Sequence, residues 1–425
     1  MSNQDLDFLS GLEFFGIKLG LKQTEELFRR LGNPEKNLRF IHVAGSNGKG
    51  SVCALLESSF RHAGLKTGFY SSPHLVRVGE RFKVNGKDAT DEDVADCIRI
   101  LRPVIADMEK DGMKVTYFEA TTAIAALLFL RAGTDIVLWE TGMGGRLDAT
   151  NIVTPLASVI TGISMEHARY LGNTISAIAG EKAGIIKPGV PVFCARQTPP
   201  EAVEVIRKRA DELNAPFFYS AEIADDMPVE HQIVNGIPCQ KFSLKDGTIL
   251  TTPLAGPHQR NNAALAYRVL AYLGEKLDFD FCSAAEGFCN TVWQARFQVF
   301  SQRKLVLDGA HNPEGLQMLA ATLKEMFPNQ KFHLLFGAFS DKDTMSGLAA
   351  MVPLALSFRF IHMDTMRASS TEEELASQLR TLAPDIPADG MSLEQALRLT
   401  YPDGEWRVLC GSLHLCGEAL PYLTL

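Results

Sequence analysis

The sequence of 425 residues carries one continuous stretch whose side chains suit phosphate chemistry, His42-Val43-Ala44-Gly45-Ser46-Asn47-Gly48-Lys49-Gly50-Ser51. It follows an apolar run and opens a helical pattern, a setting in which backbone amides and a helix N-terminus can hold phosphate. Gly45, Ser46, Asn47, Gly48 and Gly50 would form the cradle, and Lys49 would reach the β- and γ-phosphates of a nucleotide. Ser51 would face the metal side. The strict GxxxxGK[ST] spacing is broken, because Val43 stands at the first glycine position and Gly50 precedes Ser51. A glycine-rich turn without a ligand is the competing reading.

Three further residues follow apolar runs or end a helical segment. Glu140 closes IVLWE, His167 follows TGISMEH, and Lys182 sits in EKAGIIK. Ligands of open α/β sheets collect at strand C-termini, so a carboxylate at the first of these positions suits a metal ion. Taken singly, each also has an ordinary explanation: a cap or loop salt bridge, a hydrogen-bonded structural histidine, a solvated lysine.

These residues need a scaffold, and the sequence alternates strand-like with helical patterns as parallel α/β sheets do. Strands are expected at Phe40–Ala44, Thr67–Tyr70, Ile136–Trp139 and Leu156–Ile160, with helices near Gly50–Ala63 and Glu119–Ala132. A turn-rich stretch over 220–257 reads as short antiparallel strands with Asn-Gly and Asp-Gly turns. A second α/β series follows Trp293: strands at Lys304–Leu307, Phe332–Phe336, Phe358–Met363 and Trp406–Cys410, helices at Pro313–Phe327 and Leu393–Leu399. A boundary near 293–300 gives two α/β domains with a cleft, where ligands commonly bind.

Composition narrows the class. Lys and Arg number 42 against 50 Asp and Glu, a net charge of -8 that offers no electrostatic reason to expect nucleic acid or an anionic membrane. The eight cysteines form no CxxC pair and read as small buried residues of a reducing compartment. The N-terminus is acidic where a signal peptide is basic, and the best apolar run, Ala123–Leu130, is of core-helix length. A cytoplasmic protein is expected.

Together the blocks HVAGSNGKGS, YSSPHL, TYFEATTA, ETGMGGRLDATN, EHARYLGNTISAIAGEKAGIIK, HQRNNAALA, DGAHNP, DKD and GSLH resemble the folylpolyglutamate synthase and dihydrofolate synthase family of Mur-type ATP-dependent ligases. The resemblance runs from about Gly16 to Gly417. It implies a P-loop NTPase-like N-terminal domain with a mostly parallel sheet, over 1–295, and a smaller Rossmann-like C-terminal α/β domain, over 296–425. It further implies ATP-dependent ligation of L-glutamate to dihydropteroate or folyl-polyglutamate through an acyl phosphate, with release of ADP and phosphate. A monomer acting on small molecules is expected, with no nucleic-acid or membrane partner.

The same resemblance assigns residues. Lys49 is the P-loop lysine, and Ser72, Glu140, His167 and a carbamylated Lys182 hold two Mg²⁺ ions. Carbamylation turns a cation into an anion with two oxygens, which suits a hard metal. Asn262, Arg296, Asp308 and His311 reach the nucleotide, while Thr116, Phe118 and Asp148 match pteridine-site positions. For Phe118 and Asp148, core packing and loop capping compete. The family usually has WPGRFE or WPGRFQ around Arg296, whereas this chain has WQARFQ, and Glu166 stands where the family usually has Asp. Asp341-Lys342-Asp343 and Ser412-Leu413-His414 sit at expected strand ends where glutamate could dock, with a surface turn as the competing explanation. Two other readings are a related ligase acting on another carboxylate, such as a cell-wall precursor, and a non-catalytic nucleotide-binding protein.

Overall fold

Phe40–Ala44 forms β1, and the strands that flank it on either side decide where a ligand can sit. The computed structural model describes residues 3–13, 20–165, 168–224, 228–234, 237–365 and 367–423. They fall into two compact units, Met1–Pro253 with Arg260–Val292, and Leu254–Gln259 with Trp293–Leu425.

In the first unit β1 is joined by β2 (Thr67–Tyr70), β3 (Phe82–Val84), β4 (Lys87–Asp88), β5 (Ile136–Glu140), β6 (Ala157–Ile160), β7 (Val192–Cys194) and β8 (Phe217–Tyr219). Among the described residues these make one sheet in the order β4-β3-β2-β5-β1-β6-β7-β8. The six strands from β2 to β8 in that order run parallel, and β3 and β4 form an antiparallel edge. β1, β2, β5, β6 and β7 are buried along their whole length, as parallel strands covered on both faces must be. The chain leaves β1 toward β2 on one side and later returns to β6 on the other. The C-terminal ends of β1, β5 and β6 therefore border a topological switch point, where open α/β sheets bind ligands.

The helices are fastened by local signals. In the helix Tyr117–Ala132, Thr116 and Glu119 form a reciprocal capping box, and Gly133 ends it with φ 64°. This helix buries the run Ala123–Phe129, and no described helix is long and apolar enough to cross a membrane. Three antiparallel strands, β9 (Val229–Val234), β10 (Ile237–Ser243) and β11 (Ile249–Thr252), pair in the order β11-β10-β9. The expected Asp-Gly turn joins β10 to β11, with the Gly247 N–H bonded to the Leu244 carbonyl at 3.0 Å. The expected Asn-Gly turn lies outside the described residues.

The second unit holds β12 (Gln298–Phe300), β13 (Leu305–Leu307), β14 (Phe332–Phe336), β15 (Ala355–Phe360), β16 (Ala388–Gly390) and β17 (Trp406–Cys410). Their order is β12-β13-β17-β14-β15-β16, parallel except for β12. The strand expected at Phe358–Met363 runs instead from Ala355 to Phe360. Its parallel partner β14 ends at Phe336, paired with Phe360, so the ladder stops there. Ile361 and Met363 are nevertheless buried, which is why the apolar run outlasts the strand.

Candidate active site

The turn after β1 is held open from beneath by the exit of β6. The Ser46 N–H donates to the Gly162 carbonyl at 2.8 Å, and the Ser164 N–H donates to Ser46 Oγ at 3.0 Å. Two glycines are obligatory. Gly45 has φ 152°, and a Cβ there would lie 1.8 Å from Thr161 Oγ1. Gly48 has φ 94°, and a Cβ there would lie 2.7 Å from Asn262 Oδ1. Lys49 begins the helix Lys49–His62 and turns its Nζ back to the Gly45 carbonyl at 2.8 Å and the Ser46 carbonyl at 3.3 Å. The lysine thus spans the mouth of the loop whose amides would cradle phosphate. Gly50 and Ser51 are buried in the first turn of that helix.

Asn262 is brought onto this loop by the helix Pro257–Gly274. Its Oδ1 accepts from Gln197 Nε2 at 3.2 Å. Thr161, Ser164 and Gln197 are loop-shaping residues that the sequence reading did not single out. Their signal is positional: each lies just beyond the C-terminal end of β6 or β7.

Glu140 is the last residue of β5, level with Val43 of β1, and is 5% exposed. The neighbouring Cys53 registers both sides of the site. Burial pushes its thiol well up, the Glu140 carboxylate pushes it further, and the Lys49 ammonium opposes them. Glu140, paired with Val43, and Lys49, at the mouth of the loop that follows β1, stand at the same C-terminal edge of the sheet. Ser72 lies just beyond β2, whose Tyr70 pairs with Trp139, so the Ser71–Ser72 segment emerges beside Glu140.

The segment after Glu140 crosses to the helix Ile175–Ala183, which holds Lys182. The Arg146 N–H donates to the Glu181 carbonyl at 2.7 Å, and Asn151 Nδ2 donates to the Arg146 and Gly184 carbonyls at 3.0 Å each. Lys182 is 1% exposed. His167 and Glu166 lie outside the described residues.

Asp148 anchors the same segment from within. Its Oδ2 accepts from the Met143 N–H at 2.8 Å, and its Oδ1 accepts from the Thr150 N–H at 3.0 Å and the Thr150 hydroxyl at 2.5 Å. Burial raises its carboxyl, and these donors pull it back. Because Thr150 spends its proton on Asp148, His42 Nε2 is the donor in their 2.9 Å contact with the Thr150 hydroxyl. His42, fully buried in β1, is depressed to about 3 by burial, with the Lys187 charge adding to it. Thr116 accepts from the Glu119 N–H at 3.3 Å and donates to Glu119 Oε2 at 2.8 Å. Phe118 is half-buried beneath Gly142, where a Cβ would come within 2.5 Å of its ring. Thr116 and Asp148 therefore have structural work beside any ligand contact.

Among the described residues no three His, Cys, Asp or Glu side chains gather as a metal cluster. Mg²⁺ is commonly held by one or two carboxylates with substrate phosphates, so the Glu140 carboxylate and the Ser72 hydroxyl have the oxygen chemistry it takes.

In the second unit, Asp308 binds the Arg296 loop. Its Oδ2 accepts from the Phe297 N–H at 2.8 Å and its Oδ1 from the Ala310 N–H at 2.8 Å. Burial raises the Asp308 carboxyl, and Arg296 with the two amides opposes the shift. Arg296 Nη1 donates to the Ala295 carbonyl at 2.9 Å, and His311 Nδ1 lies 2.9 Å from the Gly309 carbonyl. Ala295 and Phe297 have φ 52° and 49°, left-handed values flanking Arg296. The loop thus keeps at Ala295 a conformation that favours glycine. Arg296, Asp308 and His311 are adjacent within this unit.

Comparison with known proteins reaches the whole chain. Residues 43–270 match the Mur ligase middle domain, and residues 295–413 match the glutamate ligase domain of Mur ligases. The sequence is 38% identical over 368 residues to the dihydrofolate synthase/folylpolyglutamate synthase of Bacillus subtilis (strain 168), covering 84% of each chain. Among solved structures, Mycobacterium tuberculosis folylpolyglutamate synthase complexed with ADP and AMPPCP superposes with a TM-score of 0.88 at 29% identity, covering 99% of both chains. E. coli FolC in complex with DHPP and ADP gives a TM-score of 0.82 at 29% identity, covering 99% of this chain and 97% of that one.

Proposed function

Because the chain belongs to the folylpolyglutamate synthase and dihydrofolate synthase family of Mur ligases, we propose that it joins L-glutamate to the carboxylate of dihydropteroate or of a reduced folyl-polyglutamate, consuming ATP. The observation that carries this reading is the convergence at the switch point of a phosphate loop, Lys49, Asn262 and Glu140. The acceptor carboxylate attacks the γ-phosphate of ATP to give an acyl phosphate and ADP. The glutamate amine then attacks the acyl carbon, and phosphate leaves from the tetrahedral intermediate.

Such transfer depends on positioning and charge neutralisation more than on a side-chain nucleophile. Amides of Gly45–Gly50 orient the phosphates, and the Lys49 ammonium, already at the loop mouth, neutralises charge on the transferred group. Asn262 holds the nucleotide against Gly48, and we assign Arg296, Asp308 and His311 to the nucleotide as well, the Arg296 guanidinium suiting phosphate and Asp308 fixing its loop. Ser72, Glu140, His167 and carbamylated Lys182 would hold two Mg²⁺ ions, which supply Lewis-acid stabilisation of phosphoryl oxygens. Phe118 offers a face for the pteridine, Thr116 lines its edge, and Asp148 accepts from its amino group with the lone pairs its internal donors leave. We read the enzyme as a cytoplasmic monomer.

The test is ADP release with dihydropteroate plus glutamate, compared with tetrahydrofolate plus glutamate. Release that needs both an acceptor and glutamate supports the reading and ranks the acceptors. Silence with every folate acceptor overturns it.

A further inference from the structure

Arg81 is 8% exposed, and among the described residues no carboxylate pairs with it. A buried cation without a counter-charge is expensive, because desolvation is not repaid by an ion pair. Two contacts aim it. Its Nε donates to His74 Nδ1 at 2.8 Å, and its guanidinium carbon stands 5.2 Å from the centre of the Tyr117 ring. Nearby acids are committed elsewhere. Glu80 accepts the Leu75, Val76 and Arg77 amides, Asp88 pairs with Lys83, and Asp148 holds Met143 and Thr150.

Strand register gives this cation its address. Tyr70 of β2 pairs with Phe82 of β3 and with Trp139 of β5, so Arg81, Ser71 and Glu140 follow in one row at the sheet's C-terminal edge. At about 4.8 Å per strand, the Arg81 backbone is roughly 10 Å from that of Glu140. Ser72 lies beside this row, His74 two residues on, and the half-buried rings of Tyr117 and Phe118 adjoin it.

We propose that Arg81 is a substrate-binding residue that pairs its guanidinium with a carboxylate of the acceptor. This rests on the ligase reading above and adds the residue that recognises the acceptor's acid. With Nε tied to His74, the two terminal nitrogens form a fixed fork matched to a carboxylate. Two carboxylates have this chemistry: the reacting one, present in every acceptor, and the neighbouring α-carboxylate that only glutamylated folates carry.

The experiment uses the full chain and its Arg81→Gln and Arg81→Lys variants. Acceptor KM is measured with dihydropteroate and with tetrahydrofolate, and pterin fluorescence reports binding of dihydropteroate and of 6-hydroxymethyl-dihydropterin, which has the ring but no carboxylate. The Gln variant should raise acceptor KM by about 10- to 100-fold and the Lys variant by less, with the ATP and glutamate KM values and ring-only binding unchanged. Loss with both acceptors identifies the reacting carboxylate, and loss with tetrahydrofolate alone identifies the α-carboxylate. Unchanged acceptor KM and binding in variants that still bind the ring, or equal weakening of the ring-only ligand, overturns the proposal. If the wild type releases no ADP, the ligase reading fails, and Arg81 is then judged by the binding comparison alone.

Discussion

Asn262 Oδ1 lies 2.7 Å from the point a Cβ on Gly48 would occupy, and that oxygen also accepts from Gln197 Nε2 at 3.2 Å. A side chain buried in a helix of the first unit thus sets how close the phosphate loop approaches it. In Gly48→Ala the methyl meets a held amide, and the left-handed backbone adds about 1–2 kcal/mol of strain. We expect ADP affinity to fall by at least about tenfold, measured by titration calorimetry, with little change in acceptor binding. Unaltered ADP affinity would show that the close approach has no role in nucleotide binding.

On the reading proposed above, the buried Lys182 is carbamylated and its carbamate would supply oxygens to the metal ions. Lys182→Ala should retain ATP binding but lose about 100-fold or more of its ligation rate. A short carboxylate such as acetate should restore part of it by occupying the vacated space. Wild-type turnover in this variant would count against the carbamate.

Ala295 pits three small terms against one another. Replacing it by Gly relieves about 1–2 kcal/mol of left-handed strain, but gives back about 0.5–1 kcal/mol in chain freedom and about 0.8 kcal/mol in methyl burial. Ala295→Gly should therefore lie within about 1 kcal/mol of the parent in urea unfolding, by these same terms. Ala295→Val, β-branched at φ 52°, should cost at least about 2 kcal/mol. A large loss in the glycine variant would mean the observed φ is not the strained feature.

His42 gives the fold a pH dependence of definite sign. Its folded value of about 3 lies below the ordinary histidine range, so between pH 6.5 and 3 the unfolded chain takes up a proton that the folded chain refuses. Stability therefore falls as pH drops through that window, by up to about 1.4 kcal/mol per pH unit from this residue. Above pH 7 the effect vanishes. Urea unfolding at pH 7.5 and 5.5 should show the parent losing about 1 kcal/mol more than His42→Gln. Equal losses would mean that His42 is protonated in the fold.

Much of the scaffold is legible along the chain because parallel strands covered on both faces must be continuously apolar. Phe40–Ala44, Thr67–Tyr70 and Trp406–Cys410 coincide with the runs that announced them. The Phe358–Met363 run misplaced its strand by three residues, since burial, which the run reports, continues past the end of the ladder. Arg81 illustrates a different gap. In GERFKVNG it looks like any surface arginine, and only the pairing of β2 with β3 reveals that it is buried and beside Ser72.

By itself the sequence determined the class of chemistry: a glycine-rich turn after an apolar strand, a carboxylate ending another, and ordered blocks shared with glutamate ligases of folate metabolism. Spacing along the chain suffices there, because phosphate loops are built from contiguous residues. The tertiary structure alone decided which distant residues meet that loop, that Asn262 and Thr161 close on its glycines, and that Asp148 is held by Thr150 above His42. It also placed at the sheet edge a buried arginine that pairs with no carboxylate among the described residues. These follow from strand order and register, and residues from separate strands become neighbours only when the sheet forms.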